Sequence, residues 1–241
     1  MSRTILVTGG GTGIGRAVAQ HFADRGDDVI VTGRRLAPLE ETAAGRETIR
    51  PLVCDHTDPA SLTELLARLP ERIDVLVNNA GGNTDLDADV ATDLASYARG
   101  FRANLDANLV GAALTTRAVD GRLAAGGAVV QLGSIAADQG SGGAYGAAKA
   151  GLASWNIGLS RELGPRGITA NVVSPGYIAG TDFFRDQLTD ERRDQLVAAS
   201  ATGRPGSPDD IAGTVAFLAS PAARHITGQV LNVNGGTCGT R

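Results

Sequence analysis

Lysine is almost missing from this sequence. Of 22 basic residues among 241, all but Lys149 are arginine. Whatever disfavours lysine in this chain has spared that one position. Cysteine is scarce too. Cys54 and Cys238 stand far apart, which excludes a disulfide framework and suits a reducing, cytoplasmic setting. The three histidines, His21, His56 and His225, are isolated and lack ligand spacing, so no metal site is expected. No apolar run approaches the ~20 residues that a membrane span needs. The opening MSRTILVTGG runs straight into a strand-like stretch, with no signal peptide expected. An excess of positive charge is absent as well. The net charge is −4, and nothing gathers phosphates over a wide surface, which argues against nucleic acid as a partner. A hydrophobic content of 42% excludes a disordered chain, and the length suits one domain.

Short β-branched runs alternate with longer helical patterns. Strands are expected at 4–8, 28–32, 49–54, 73–77, 128–132, 168–173 and 229–233. Most are continuously apolar, as in a parallel sheet covered on both faces. Helical stretches fall at 14–25, 59–69, 93–123, 144–163 and 209–218. The βαβαβ alternation predicts a doubly wound α/β sheet of about seven parallel strands, with helices on both faces. No repeat, low-complexity tract or linker divides the chain. The polar segment 177–208, between the sixth and seventh strands, reads as a lid over a substrate, since ligands of open α/β sheets bind beyond the carboxyl ends of strands.

The first strand ends in Thr8-Gly9-Gly10-Gly11-Thr12-Gly13-Ile14-Gly15, and a helix follows directly. Glycines let backbone amides approach an anion, and a helix start offers free N–H groups and a partial positive charge. A plain tight turn is the alternative, but the strand–turn–helix context favours phosphate binding, here by a dinucleotide. A carboxylate ending the second strand would hold the ribose hydroxyl of NAD. That strand instead ends Thr32-Gly33-Arg34-Arg35. Guanidinium groups suit a 2′-phosphate, so NADP(H) is favoured over NAD(H), unless the arginines simply form a solvated turn.

Tyr145 and Lys149 are spaced i, i+4 at the start of a helical stretch and so share a face. A phenol titrates near ~10, too high for acid–base work at neutral pH. An ammonium close by favours phenolate and is expected to pull that value down. Chance placement of the single lysine here is improbable.

These residues carry a resemblance. The ordered set TGGGTGIG (8–15), CD (54–55), NNAG (78–81), Asn108, Ser134, YGAAK (145–149), SPG (174–176) and GQVLNVNGG (228–236) resembles the short-chain dehydrogenase/reductase family over nearly the whole chain. Within it the sequence is most similar to the 3-oxoacyl-carrier-protein reductase type. The resemblance implies a single-domain Rossmann-type fold and an NAD(P)-dependent oxidoreductase acting on CH–OH groups. In that reading Ser134 polarises a substrate carbonyl, Tyr145 gives it a proton, Lys149 orients the cofactor ribose and tunes the tyrosine, and Asn108 holds a water of a proton relay. The same resemblance implies cofactor contacts at Gly9, Gly11, Thr12, Gly13, Ile14, Gly15, Arg34, Arg35, Asp55, Asn79, Ala80, Gly81, Tyr145, Lys149, Pro175, Gly176, Ile178 and Thr181. There are two departures. Ser134 and Tyr145 are 11 apart, where the family has a slightly longer loop, and Ile178-Ala179-Gly180-Thr181 carries one extra residue before the threonine. Asp55 reads equally well as a helix cap ahead of DPASL.

Three functions are weighed. The first is an NADPH-dependent reductase of a ketone or aldehyde, such as a 3-oxoacyl group. The second is an NAD-dependent dehydrogenase of a secondary alcohol, which Arg34 and Arg35 argue against. The third is a non-catalytic dinucleotide-binding regulator, which would not need Ser134, Tyr145 and Lys149 together. The stretches 93–123 and 144–163 are apolar over much of their circumference. That suggests helix pairing between subunits, and the family resemblance implies a homo-oligomer, a tetramer before a dimer. Tyr177, Phe183, Phe184 and Leu188 suggest an apolar or aromatic substrate. Arg185, Arg192 and Arg193 read as a solvated face or a docking site for an acidic carrier.

Overall fold

Alternation along the strands sends neighbouring apolar side chains to opposite faces, and each face acquires its own core. Ile5 and Val7 of the first strand belong to one cluster and Leu6 to the other. The computed structural model describes residues 2–88 and 90–239. Its strands are β1 (Thr4–Thr8), β2 (Asp28–Gly33), β3 (Ile49–Val53), β4 (Ile73–Asn78), β5 (Leu123–Leu132), β6 (Thr169–Pro175) and β7 (Val230–Val233). They form one parallel sheet in the order β3-β2-β1-β4-β5-β6-β7. The helices are α1 (Gly13–Ala23), α2 (Leu36–Ala43), α3 (Pro59–Leu66), α4 (Leu94–Leu105), α5 (Gly111–Val119), α6 (Ala136–Gln139), α7 (Gly143–Leu163), α8 (Asp190–Ala198) and α9 (Pro208–Leu218). Phe22 of α1 and Ile211, Val215 and Leu218 of α9 cover one face of the sheet. Leu62 and Leu65 of α3, Val119 of α5, and Leu159 and Leu163 of α7 cover the other. Winding reverses between β1 and β4, which opens a crevice at their carboxyl ends.

The sheet and its double cover match the expectation. The stretch 93–123 does not, because it is not one helix. It breaks into α4, a π-helical turn Asp106–Val110, α5 and a 3-10 turn Asp120–Arg122, and Leu123 already belongs to β5. β5 therefore starts five residues earlier than expected, with a register shift against β4. Gly126, at φ +74, and the following Gly127 take up that irregularity. Apolar periodicity read over a long window does not register a single wide turn within a helical stretch. α2, short and with little apolar patterning, escapes the same reading, and the 177–208 segment forms α8 only near its middle.

His56 braces three elements. Its ring is buried, with Nδ1 2.8 Å from Thr115 Oγ1 in α5 and Nε2 2.8 Å from Thr32 Oγ1 in β2. Thr115 Oγ1 spends its own proton on the Gly111 carbonyl at 2.8 Å, so it accepts from Nδ1–H, and Nε2 accepts from Thr32. The network thus holds a neutral imidazole. Burial pushes its pKa down from 6.5 to about 4, with Asp55 pulling weakly the other way. A depressed histidine contributes stability that is complete above its unfolded pKa and is lost as pH falls through the window between the two values. The protein should accordingly lose roughly 3 kcal/mol of stability between pH 6.5 and pH 4 through this ring. Urea unfolding at both pH values tests it: His56→Leu should be destabilised at neutral pH and should flatten the acid slope, and an unaltered slope would refute the assignment.

Candidate active site

The turn after β1 is built for close approach. Gly9 has φ +64, and a Cβ on it would lie 2.8 Å from the Ala80 Cα. A Cβ on Gly15 would fall on the Gly9 carbonyl and the Asn79 amide. Both positions require glycine. α1 starts at Gly13 behind the N-cap residue Thr12, whose side chain makes no capping bond, and its first turn carries no acidic residue. By contrast α3, α4, α8 and α9 are capped by Asp58, Asp93, Thr189 and Ser207. The first amides of α1 are left for an anion, so this turn fits a dinucleotide pyrophosphate.

Thr8 and Asn79 lock that turn to the loop after β4. Thr8 Oγ1 accepts from Asn79 N at 3.0 Å and Ala80 N at 2.9 Å. Asn79 Nδ2 donates to the Thr8 and Gly9 carbonyls, each at 3.0 Å. Asn108, in the π-helical turn, clamps the next residues. Its Oδ1 accepts from Gly82 N at 3.0 Å, and its Nδ2 donates to Gly82 O at 2.9 Å and Asn104 O at 3.0 Å. The sequence reading singles out neither Thr8 nor His56. Thr8 could have been found, because it heads the glycine motif. For His56 the isolated position carried no signal.

Beyond β2, Arg34 and Arg35 are exposed, and neither joins an ion pair among the described residues. Asp55 is not the cap of α3, which is Asp58, accepting from Ala60 N at 3.0 Å. Asp55 Oδ1 instead holds Thr57 N at 2.9 Å and Thr57 Oγ1 at 2.7 Å, and these bonds keep its pKa below the usual carboxylate value. Past β6, Gly180 at φ +70 absorbs the extra residue. Thr181 then lies against the glycine turn, its methyl 3.3 Å from where a Gly13 Cβ would stand.

Ser134 follows β5 and accepts from Ala136 N at 3.2 Å. The short loop to Tyr145 is made by α6 and by Gly140, Gly142 and Gly143, all at positive φ. Tyr145 and Lys149 sit one turn apart on α7, both buried. Lys149 Nζ donates to the Leu132 carbonyl at 2.6 Å and lies 5.7 Å from the centre of the Tyr145 ring. Here the expected pKa direction is overturned. Burial pushes the Tyr145 phenol up to about 12, with the Ser134 hydroxyl working against the rise. The ammonium lies over the ring and donates to the Leu132 carbonyl. Burial also lowers Lys149 to about 8. At neutral pH the pair is therefore a protonated phenol beside an ammonium, the state of a proton donor.

One cleft of about 1020 Å³ gathers nearly all these groups. Its walls include Gly9, Gly11, Thr12, Gly13, Ile14, Arg34, Arg35, Asp55, Asn79, Ala80 and Gly81. Ser134, Tyr145, Lys149, Pro175, Gly176, Ile178 and Thr181 line it as well. Gly15 and Asn108 stand behind the wall. A family profile described as Enoyl-(Acyl carrier protein) reductase matches residues 9–238. The 3-oxoacyl-[acyl-carrier-protein] reductase of Escherichia coli is 38% identical, over 96% of this chain and 95% of that one. The chain belongs to the short-chain dehydrogenase/reductase family. An oxidoreductase of Mycobacterium tuberculosis is 36% identical over 96% of both chains. Among solved structures, a short-chain dehydrogenase/reductase from Brucella melitensis superposes with TM-score 0.88 at 32% identity, covering 99% of this chain and 97% of that one. A blue fluorescent protein from a metagenomic library, in complex with NADPH, gives 0.84 at 33%, covering 98% of each chain. As a member of this family the chain is an NAD(P)-dependent oxidoreductase acting on CH–OH groups.

A short-chain dehydrogenase/reductase that buries its ammonium this deeply carries a stability cost at every pH below about 8. Lys149→Met removes that cost and orphans only one carbonyl. The variant should unfold roughly 1–2 kcal/mol harder than wild type at pH 7 while losing turnover. Thermal melts at pH 7 and pH 9.5 check it, and the gain should shrink at the higher pH.

Proposed function

We propose that the protein is an NADPH-dependent reductase of ketones or aldehydes, 3-oxoacyl groups or similar carbonyls included. The observation that carries this reading is the buried, protonated Tyr145 phenol in one cleft with Ser134, Lys149 and the glycine turn. When bound, the dinucleotide supplies the hydride that reaches the carbonyl carbon. Ser134 donates a hydrogen bond to the carbonyl oxygen and steadies the charge that develops there. Tyr145 passes its hydroxyl proton to that oxygen, which becomes the alcohol. The resulting phenolate is stabilised by the Lys149 ammonium and regains its proton from solvent through Lys149 and a water held at Asn108. Lys149 also orients the cofactor ribose. Asp55 meets the adenine amine, and Pro175, Gly176, Ile178 and Thr181 adjoin the nicotinamide.

NADP(H) is preferred over NAD(H) because two guanidinium groups without an ion-pair partner among the described residues follow β2, and no carboxylate does. Residues 177–208 act as the substrate lid, and Tyr177, Phe183 and Phe184 give its inner wall an aromatic character suited to apolar substrates. Two unpaired cysteines fit a cytoplasmic enzyme. One experiment tests the reaction and the cofactor together. Nicotinamide fluorescence titration and turnover of 2,3-butanedione should favour NADPH over NADH. Arg34→Ala with Arg35→Ala should remove most of that preference, about tenfold or more. Tyr145→Phe should lose several orders of magnitude in turnover, on the order of 1000-fold, with NADPH still bound. Near-normal rates in Tyr145→Phe, or NADH binding as tightly as NADPH, would sink the reading.

A groove of about 500 Å³ between α5 and α7, walled by Leu109, Val110, Ala113, Leu114, Trp155 and Leu159, supports assembly. A second copy pairing along α4, α5 and α7 covers it, and the homo-oligomer is a tetramer. Light scattering should return four times the 24.5 kDa chain mass. Trp155→Glu should lower that multiple, and a wild-type monomer would refute the assembly.

A further inference from the structure

The cleft is bridged at its mouth. Arg185, in the segment after β6, forms a two-armed ion pair with Asp87, in the loop after β4. Its Nη2 lies 2.5 Å from Asp87 Oδ2, and its Nε lies 2.9 Å from Asp87 Oδ1. Gln187 Nε2 adds a bond to the Leu86 carbonyl at 2.6 Å. These two loops are the opposing walls of the cleft, and Asp87 and Arg185 both line it. The same guanidinium turns inward as well: Nη1 donates to the Phe183 carbonyl at 2.6 Å. Phe183 packs its ring 5.5 Å from that of Tyr145, and Phe184 meets Phe183 edge to face at 5.0 Å. Asp87, Arg185 and Phe183 thus form a chain of contacts from the far wall to the phenol.

The backbone reflects this. Arg185 has φ +51, the one non-glycine residue at positive φ among those described. Side chains other than glycine, asparagine and aspartate seldom take that region without a contact to hold them there. Arg185 opens a 3-10 turn, Arg185–Gln187, and the paired carboxylate adds to the local bonds of its amide and guanidinium to the Asp182 and Phe183 carbonyls.

We propose that Asp87 and Arg185 are positioning residues that fix Phe183 against Tyr145 and so set the size of carbonyl substrate the pocket admits. The clasp narrows the space beside the phenol, favours compact carbonyls and disfavours bulky ones. The inference rests on the reductase reading for its substrate half, while its structural half stands independently of turnover.

The test uses the full chain with NADPH, 2,3-butanedione as the compact probe and benzil as the bulky one. Asp87→Asn and Arg185→Gln should each raise kcat/KM for benzil relative to 2,3-butanedione about three- to fivefold, the scale of an exposed bidentate pair. The change should lie in KM, with NADPH affinity unaltered. Amide hydrogen exchange across residues 182–188 should quicken by a similar factor, about three- to fivefold, in both variants. Arg185→Lys keeps a cation opposite Asp87 and an N–H that can reach the Phe183 carbonyl, so it should hold both readouts closer to the wild type than Arg185→Gln does. A selectivity ratio or an exchange rate that stays at the wild-type value in the single variants Asp87→Asn and Arg185→Gln overturns the proposal. So does an Arg185→Lys variant that behaves like Arg185→Gln. If the wild type reduces neither diketone, the reductase reading falls, and hydrogen exchange alone still decides whether the clasp holds the loop.

Discussion

A charge buried in a protein interior must be held by something, and the Lys149 ammonium is held by the Leu132 carbonyl. That one bond ties α7 to the end of β5. Ser134 leaves β5 two residues after Leu132, and Tyr145 precedes Lys149 by one turn of α7. The bond therefore sets how the serine hydroxyl and the phenol face each other. The sheet supplies the rest of the frame. β1, β4, β5 and β6 end on the same side, so the glycine turn, the Asn79 loop, Ser134 and Pro175 arrive at one cleft without any of them having to reach far.

Two clamps keep that side of the molecule rigid. Thr8 and Asn79 join the turns after β1 and β4, and Asn108 holds the next stretch of the β4 loop by both ends of its amide. The π-helical turn containing Asn108 is what aims the amide at Gly82. An unbroken helix through 93–123 would carry that side chain elsewhere around its axis. The apparent flaw in the helix is thus what brings an amide into register with a glycine loop.

Much of this was legible from local pattern. Continuous apolar runs announce buried parallel strands, and the glycine turn announces itself by its place between strand and helix. The pairing of Tyr145 with Lys149 needs only helical spacing. What stayed hidden was non-local. The pKa direction of Tyr145 depends on its burial, which is not written in a four-residue spacing. His56 acquires its role from Thr32 and Thr115, the second of them 59 positions away. Arg185 and Asp87 are 98 apart, and a polar lid sequence offers no hint that one of its arginines has a partner across the cleft.

The scarcity of lysine has a chemical corollary once the fold is known. The single ε-amine of the chain is 5% exposed and hydrogen-bonded. Reagents that acylate or alkylate amines meet an outer surface on which arginine supplies the positive charge and resists them. Side-chain labelling by such a reagent therefore counts openings of one door, and its rate follows how often α7 and β5 part.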